Sequence, residues 1–229
     1  MRLDKYIASV TDLSRKQVRI VIRAGEVSVD ALIVDDPGQH VDPHSEVCLG
    51  GEVLRLPGHR YLMLHKPAGV VCATRDSHQT TVIDLLEIDH RESLQIAGRL
   101  DIDTTGLVLL TDDGQWNHRL TSPRHKCDKV YQVSTSHPID SSTIQKFERG
   151  VMLEPENRRT RPARLLIIDP HHAQMILTEG RYHQVKRMFA AVGNAVQSLH
   201  RSAIGEIQLD ESLEPGQYRQ LTQAEIASL

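Results

Sequence analysis

Aromatic side chains are scarce in this sequence: one Trp, five Tyr and two Phe make up 3% of its 229 residues. The chain therefore has few stacking platforms to offer a ligand. Cysteine is as rare. Cys48, Cys72 and Cys127 are odd in number, widely spaced and form no C-x-x-C pair, which argues against a disulfide scaffold, a zinc site or a redox couple. No apolar run approaches the ~18 residues that a bilayer span requires, and Met1-Arg2-Leu3-Asp4-Lys5 lacks the apolar stretch of a signal peptide. The expectation is a soluble, cytoplasmic protein with no membrane partner. A strong charge of either sign is missing too, since 27 basic and 30 acidic residues leave a net charge of -3. What is present is ordinary globular composition, 39% hydrophobic and 25% charged, with length for two modest domains.

The near-neutral total hides an uneven distribution. Residues 1–25 carry six basic groups (Arg2, Lys5, Arg15, Lys16, Arg19 and Arg23) against Asp4 and Asp12, and the following stretch is acidic. A second basic excess runs from Arg158 to Arg201 and includes Arg181, Lys186 and Arg187. Either patch alone reads equally as a solvated face; two in separate segments point toward a nucleic-acid backbone.

Helical spacing of Leu3, Tyr6, Ile7 and Val10, then Ser14 as N-cap before Val18, Val21 and Ile22, predicts two helices stopped by Gly25. Short strands follow at 26–30, 33–34 and 47–49, and the glycines and proline of 50–60 mark a linker. The domains are therefore expected at 1–58 and 59–229. Beyond Arg60, short β-like runs (61–64, 70–73, 94–97, 107–111, 129–134, 163–168, 173–178) alternate with fewer helical stretches (81–86, 116–120, 141–150, 183–192). This pattern predicts an α+β domain with a mainly antiparallel mixed sheet and flanking helices.

The segment from Gly98 to Gly106 sets Arg99, Asp101, Asp103 and Thr104 in a loop between two apolar strands, where rigid flanks hold polar side chains in reach of solvent. Its residues alone leave two readings open, a reactive site or a hairpin whose Asp103, Thr104 and Thr105 satisfy turn backbone. The order Gly98-Arg99-Leu100-Asp101 then Thr104-Thr105-Gly106-Leu107 resembles the signature of pseudouridine synthases, which detach uracil from ribose, rotate it and reattach it through carbon. Lys66-Pro67-Ala68-Gly69, Lys129-Val130-Tyr131 and Glu179-Gly180-Arg181-Tyr182-His183-Gln184-Val185-Lys186-Arg187-Met188 follow the family's order. The first segment is similar to S4-type RNA-binding domains, through Arg2-Leu3-Asp4-Lys5, Ser14-Arg15 and Ile22 to Val27. Within the family, 112–116, 121–125 and 181–188 look most like the members acting on the small ribosomal subunit.

The resemblance implies that Asp101 is the catalytic carboxylate, able to attack C1′ or C6 or to stabilise positive charge on the ribose. It assigns Lys186 to an ion pair that keeps Asp101 ionised and oriented, and Tyr131 to stacking on the target uracil. Arg99 would fill the gap left by a flipped base or grip a flanking phosphate. Arg2, Lys5, Arg15, Lys16, Arg19, Arg23, Arg181 and Arg187 would hold RNA, whereas Tyr6, Tyr61, Tyr182 and Trp116 are expected to be packing residues. Lys66 and Pro67 are expected to shape the loop. No cofactor, metal or obligate protein partner is implied, and the histidines (His118, His125, His171, His172, His183) show no ligand pattern. The leading expectation is isomerisation of a uridine in 16S rRNA, in precursor RNA or an assembling small subunit. The alternatives are a 23S rRNA synthase, a non-enzymatic rRNA-binding assembly factor and a nucleosidase.

Overall fold

Leu3, Tyr6 and Ile7 line the buried side of α1 (Leu3–Val10), and Val18 and Ile22 that of α2 (Arg15–Arg23), so both helices form where the apolar spacing requires. Ser14 and Gln17 close a capping box: Gln17 Oε1 accepts from the Ser14 backbone N–H at 2.9 Å while Ser14 Oγ takes the Gln17 N–H at 3.4 Å. Strands β1 (Val27–Val29), β2 (Leu32–Ile33), β3 (Val47–Leu49) and β4 (Glu52–Leu54) make an antiparallel sheet in the order β2-β1-β3-β4. Gly50 and Gly51, both at positive φ, turn β3 into β4 instead of opening a linker, because their lack of Cβ admits the tight hairpin. The computed structural model describes residues 1–42, 45–55, 58–122 and 127–229. Its chain divides into Met1–Gly58 and His59–Leu229. Pro57 of the expected linker and Pro123, Arg124 and His125 of the small-subunit-like segment lie outside the described residues.

Half of the first basic patch has a structural use that its sequence does not announce. The Asp4 carboxylate is fully buried and receives Arg15 at 2.8 Å, Arg2 at 3.1 Å and Arg19 at 3.1 Å. The hydrogen bond from Arg2, helped by Arg15 and Arg19, outweighs burial and holds this carboxyl far below the usual carboxylate range. A depressed carboxyl contributes stability above its unfolded value, near 3.9, and loses it as pH falls toward the folded value. Asp4→Asn is therefore expected to speed amide exchange throughout α1 and α2 at pH 7, with the gap to the parent closing as pH drops below about 4. Equal exchange at pH 7 would show that the clamp contributes no stability.

The second unit contains β5 (Tyr61–Lys66), β6 (Gln95–Ala97), β7 (Thr105–Thr111), α3 (Gly114–Thr121), β8 (Lys129–Thr135), α4 (Ser142–Glu148), β9 (Met152–Leu153) and β10 (Arg158–Arg159). It continues with β11 (Arg164–Ile167), β12 (His172–Leu177), α5 (Gln184–Ala190), β13 (Val196–Ile204), β14 (Ile207–Gln208), β15 (Tyr218–Gln220) and α6 (Gln223–Ala227). The main sheet runs β11-β12-β8-β13-β7-β5-β15, with β6 on β7 and β14 on β13, while β9 and β10 pair apart. All of its pairs are antiparallel except β7 with β13, so the expected α+β class with a mainly antiparallel mixed sheet holds. β7 is an unbroken apolar run because both its faces are covered. Val108 and Leu110 join Phe147, Met188 and Phe189 on one side; Leu107 and Leu109 join Trp116, Leu120 and Ile204 on the other.

Two expected elements differ. Residues 81–86 form turns and not a helix; the Asp84 carboxylate takes the Thr81 N–H and hydroxyl at 2.9 and 2.8 Å, and the Thr81 hydroxyl oxygen accepts from the Asp84 N–H at 3.2 Å. Residues 70–73 make a single bridge, Val71 to Thr81, with no strand continuing alongside.

Candidate active site

The loop between β6 and β7 is fixed by its backbone, which is why its side chains can be placed reproducibly. Lys66, at the end of β5 and fully buried, donates from Nζ to the carbonyls of Pro67 (2.9 Å), Ile102 (3.1 Å) and Thr104 (2.8 Å). Burial pushes this ammonium below its ordinary pKa. From β13, the buried Arg201 guanidinium donates to Gly98 O at 2.6 Å and to Leu107 O at 2.7 and 2.9 Å, tying the two ends of the loop together. Gly106 makes this approach possible: at φ +106 a Cβ would lie 2.3 Å from Arg201 O, so any side chain would push the parallel β7–β13 pair apart. Two buried cations on carbonyl oxygens thus hold the loop rigid, the condition for a preorganised site.

Asp101 sits on this loop and lines a cleft of about 670 Å³ together with Arg99, Tyr131, Arg181, His183 and Arg201. Tyr131, on β8, is buried, and the Arg201 guanidinium carbon lies 6.0 Å from its ring centre. The opposite wall is the turn into α5. Glu179 accepts from the Arg161 N–H at 2.9 Å and from Gln184 Nε2 at 2.7 Å, and Gln184 Oε1 takes the Arg181 N–H at 2.8 Å. This knot sets the first turn of α5, where His183 and Lys186, three residues apart, share one face. Lys186 Nζ lies 3.3 Å from Asp101 Oδ2 and 2.5 Å from Asp103 Oδ1, and His183 Nε2 lies 3.5 Å from Asp101 Oδ1.

The Lys186 hydrogen bond draws the Asp103 carboxyl below its usual value. Burial works against the Lys186 ammonium, but the two carboxylates outweigh it and hold its pKa above the ordinary lysine value. Asp103, expected as a turn residue, is instead an exposed partner that shares the lysine with Asp101.

The remaining arginines divide by their surroundings. Arg99 is exposed on the rim of the cleft. Arg181 donates to the carbonyls of Arg158 (3.0 Å) and Arg159 (2.7 Å) and pairs with Glu179 at 3.3 Å. Arg187 pairs with Glu156 and donates to Tyr182 O at 3.1 Å. Both are partly buried members of the loop scaffold. Tyr6, Tyr61 and Trp116 pack inside, but Tyr182 does not: it is 74% exposed and stacks on His183. The reason is that the Glu179–Gln184 knot turns this dipeptide out of the core. Sequence reasoning also passed over Arg201, counted among surface charges. Among the described residues no group of three or more His, Cys, Asp or Glu is placed to hold a metal ion, and no helix is long and apolar enough to cross a membrane.

Comparison with known proteins matches the sequence to two families. RNA pseudouridylate synthase matches residues 60–191, which include the Asp101 loop and α5, and the S4 domain matches residues 1–47. The ribosomal small subunit pseudouridine synthase A of Yersinia pestis is 50% identical over 100% of this chain and 98% of its own length. That of Escherichia coli (strain K12) is 50% identical over 100% of both. The crystal structure of a pseudouridylate synthase superposes with a TM-score of 0.72 at 44% identity, covering 100% of this chain and 99% of its own. With the family's sequence matched over more than half of the chain and full-length relatives at half identity, this chain belongs to the RNA pseudouridylate synthase family, with an S4 domain at its N-terminus.

Proposed function

We propose that the chain isomerises one uridine of 16S rRNA to pseudouridine, acting in the cytoplasm on precursor RNA or an assembling small subunit. The observation that carries the chemistry is the cleft lined by Asp101 and the buried Tyr131 ring, with Lys186 Nζ 3.3 Å from the Asp101 carboxylate. The full-length relatives named as small-subunit enzymes support the target. In this reading residues 1–58 dock RNA and residues 59–229 do the chemistry without a cofactor. The N-glycosidic bond breaks, the uracil turns on the Tyr131 ring, and C5 bonds to C1′ as the C5 proton leaves. The Asp101 carboxylate, 3.3 Å from Lys186 Nζ, attacks the nucleoside or stabilises charge on its ribose while the base is detached.

The direct test is pseudouridine mapping of rRNA from cells with and without the gene, with purified 16S and 23S rRNA labelled with tritium at uridine C5 as the in vitro arm. Loss of one 16S pseudouridine and tritium release from 16S rRNA alone are expected. Modification confined to 23S rRNA overturns the target, and no modification of either overturns the enzymatic reading.

Docking by the first unit gives a separate expectation. Lys5, Lys16 and Arg23 are exposed and have no ion-pair partner among the described residues, unlike the three arginines on Asp4. Replacing each of them by Ala should lower the slope of log affinity against log salt by about 0.7 on single-stranded rRNA and about 0.9 on duplex, if values for DNA transfer. Filter binding from low to moderate salt reads this slope. An unchanged slope in the triple variant removes these residues from the phosphate contacts.

A further inference from the structure

Of the eight aromatic side chains of this protein, Tyr182 alone is exposed. Its ring is not left loose. It stacks on the His183 imidazole with centroids 3.7 Å apart and planes 21° from parallel, and that imidazole lies 3.5 Å from the Asp101 carboxylate. His183 adopts φ 48, a left-handed conformation that non-glycine residues seldom take and that tends to persist where the surroundings enforce a functional geometry. The Tyr182 carbonyl accepts from Arg187 Nη1 at 3.1 Å, and Arg187 is itself held by Glu156 and by Glu154 O. One face of the phenol is thus covered by an imidazole and its backbone is anchored, while the ring stays open to solvent at the mouth of the cleft. Core packing does not account for a ring so exposed, nor for a strained turn that holds it beside the reacting carboxylate.

A flat apolar ring with a polar edge, mounted rigidly among cations, suits one kind of occupant: a nucleobase, every one of which has a π-face to stack. The bases within reach are those beside the target uridine. When the target swings out of its stack to reach Asp101, its neighbour loses a stacking partner. We propose that Tyr182, backed by His183, is a shelf on which the base adjacent to the target uridine stacks, replacing that lost partner and holding the strand in register. Arg99, exposed on the same rim, is placed for the phosphate between the two nucleotides. The shelf rests on the RNA-isomerase reading above and adds to it a subsite for a second nucleotide.

The test is a coupling experiment on the full-length protein. Small-subunit rRNA transcripts are prepared by ligation intact, or with an abasic site immediately 5′ or immediately 3′ of the target. KM and kcat are measured for wild type, Tyr182→Phe and Tyr182→Ala. On intact RNA, Tyr182→Ala should raise KM at least about fivefold, the lower end of a base–aromatic stack, and change kcat less. Tyr182→Phe, which keeps the ring, should stay near wild type. On the transcript lacking the stacked base, wild type and Tyr182→Ala should converge. The shelf is overturned if Tyr182→Ala matches wild type on intact RNA, if its defect persists undiminished on both abasic transcripts, or if Tyr182→Phe is as impaired as Tyr182→Ala. An active wild type without coupling removes the shelf alone; a wild type that forms no pseudouridine removes the isomerase reading and the shelf with it.

Discussion

Asp101→Asn should reduce pseudouridine formation to below about 1% of the wild-type rate while RNA affinity stays within a few fold. A hundredfold loss corresponds to about 2.7 kcal/mol of barrier, a modest figure for removing a group that attacks or stabilises the reacting centre. The swap is nearly isosteric, and the loop around it is held by groups that it does not touch. Lys66 grips the carbonyls of Ile102 and Thr104, and Arg201 grips those of Gly98 and Leu107. Lys186 also keeps a carboxylate partner, since Asp103 lies 2.5 Å away. The cation therefore has no cause to swing into the cleft and disturb RNA binding. Single-turnover formation of pseudouridine with enzyme in excess, beside equilibrium binding of the same RNA, separates the two quantities. Turnover above ~1% in the Asn variant would place the reacting group elsewhere.

What could be read from the sequence follows the physics of burial. β7 was legible because its two covered faces make a continuous apolar run, and the helices of the first unit because one face of each is wet. β13, nine residues long, was missed because Gln197, Ser198, His200 and Arg201 interrupt its apolar pattern. Arg201 is completely enclosed, where its charge is met by carbonyl dipoles of the loop and not by an acid that could be seen nearby in sequence. The Asp4 clamp escaped for the opposite reason. Two acids among six bases look outvoted, yet the burial of Asp4 gathers three guanidiniums onto it. In the site, the Gly98–Gly106 loop could be located from its polar residues between apolar strands. The meeting of Asp101 with Lys186 joins positions 85 residues apart, and no local pattern encodes it; the motif resemblance alone pointed to the pair. His183 and Tyr182 lie inside the matched block, yet their place beside Asp101 was not legible there, because it depends on the hydrogen-bonded knot of Glu179 and Gln184 that turns them outward.

Lys186→Met should slow the single-turnover rate roughly ten- to a hundredfold, whereas Lys186→Arg stays within about tenfold of wild type, the range expected for a hydrogen bond to a charged group. Lys186 bridges two carboxylates, Asp101 at 3.3 Å and Asp103 at 2.5 Å. Methionine is of similar length but leaves those acids near each other with no Lys186 cation between them, while the His183 imidazole remains beside Asp101. Arginine restores the charge, although its planar fork cannot sit between two acceptors as a compact ammonium does. The pH dependence separates a charge effect from a packing effect. Because the carboxylates hold Lys186 above the ordinary lysine value, its charge is complete at neutral pH and is lost only as pH rises through that raised value. Wild type and the arginine variant should therefore show no fall in rate from this group between neutrality and pH 10. At the acid end, Asp103 is held low by the Lys186 hydrogen bond, and removing the cation lets a proton settle on Asp103 at higher pH. The acidic limb of the methionine variant should accordingly move upward while that of the arginine variant stays near wild type. A methionine variant with the rate and pH profile of wild type would make Lys186 an ordinary surface lysine, with no part in the work of Asp101.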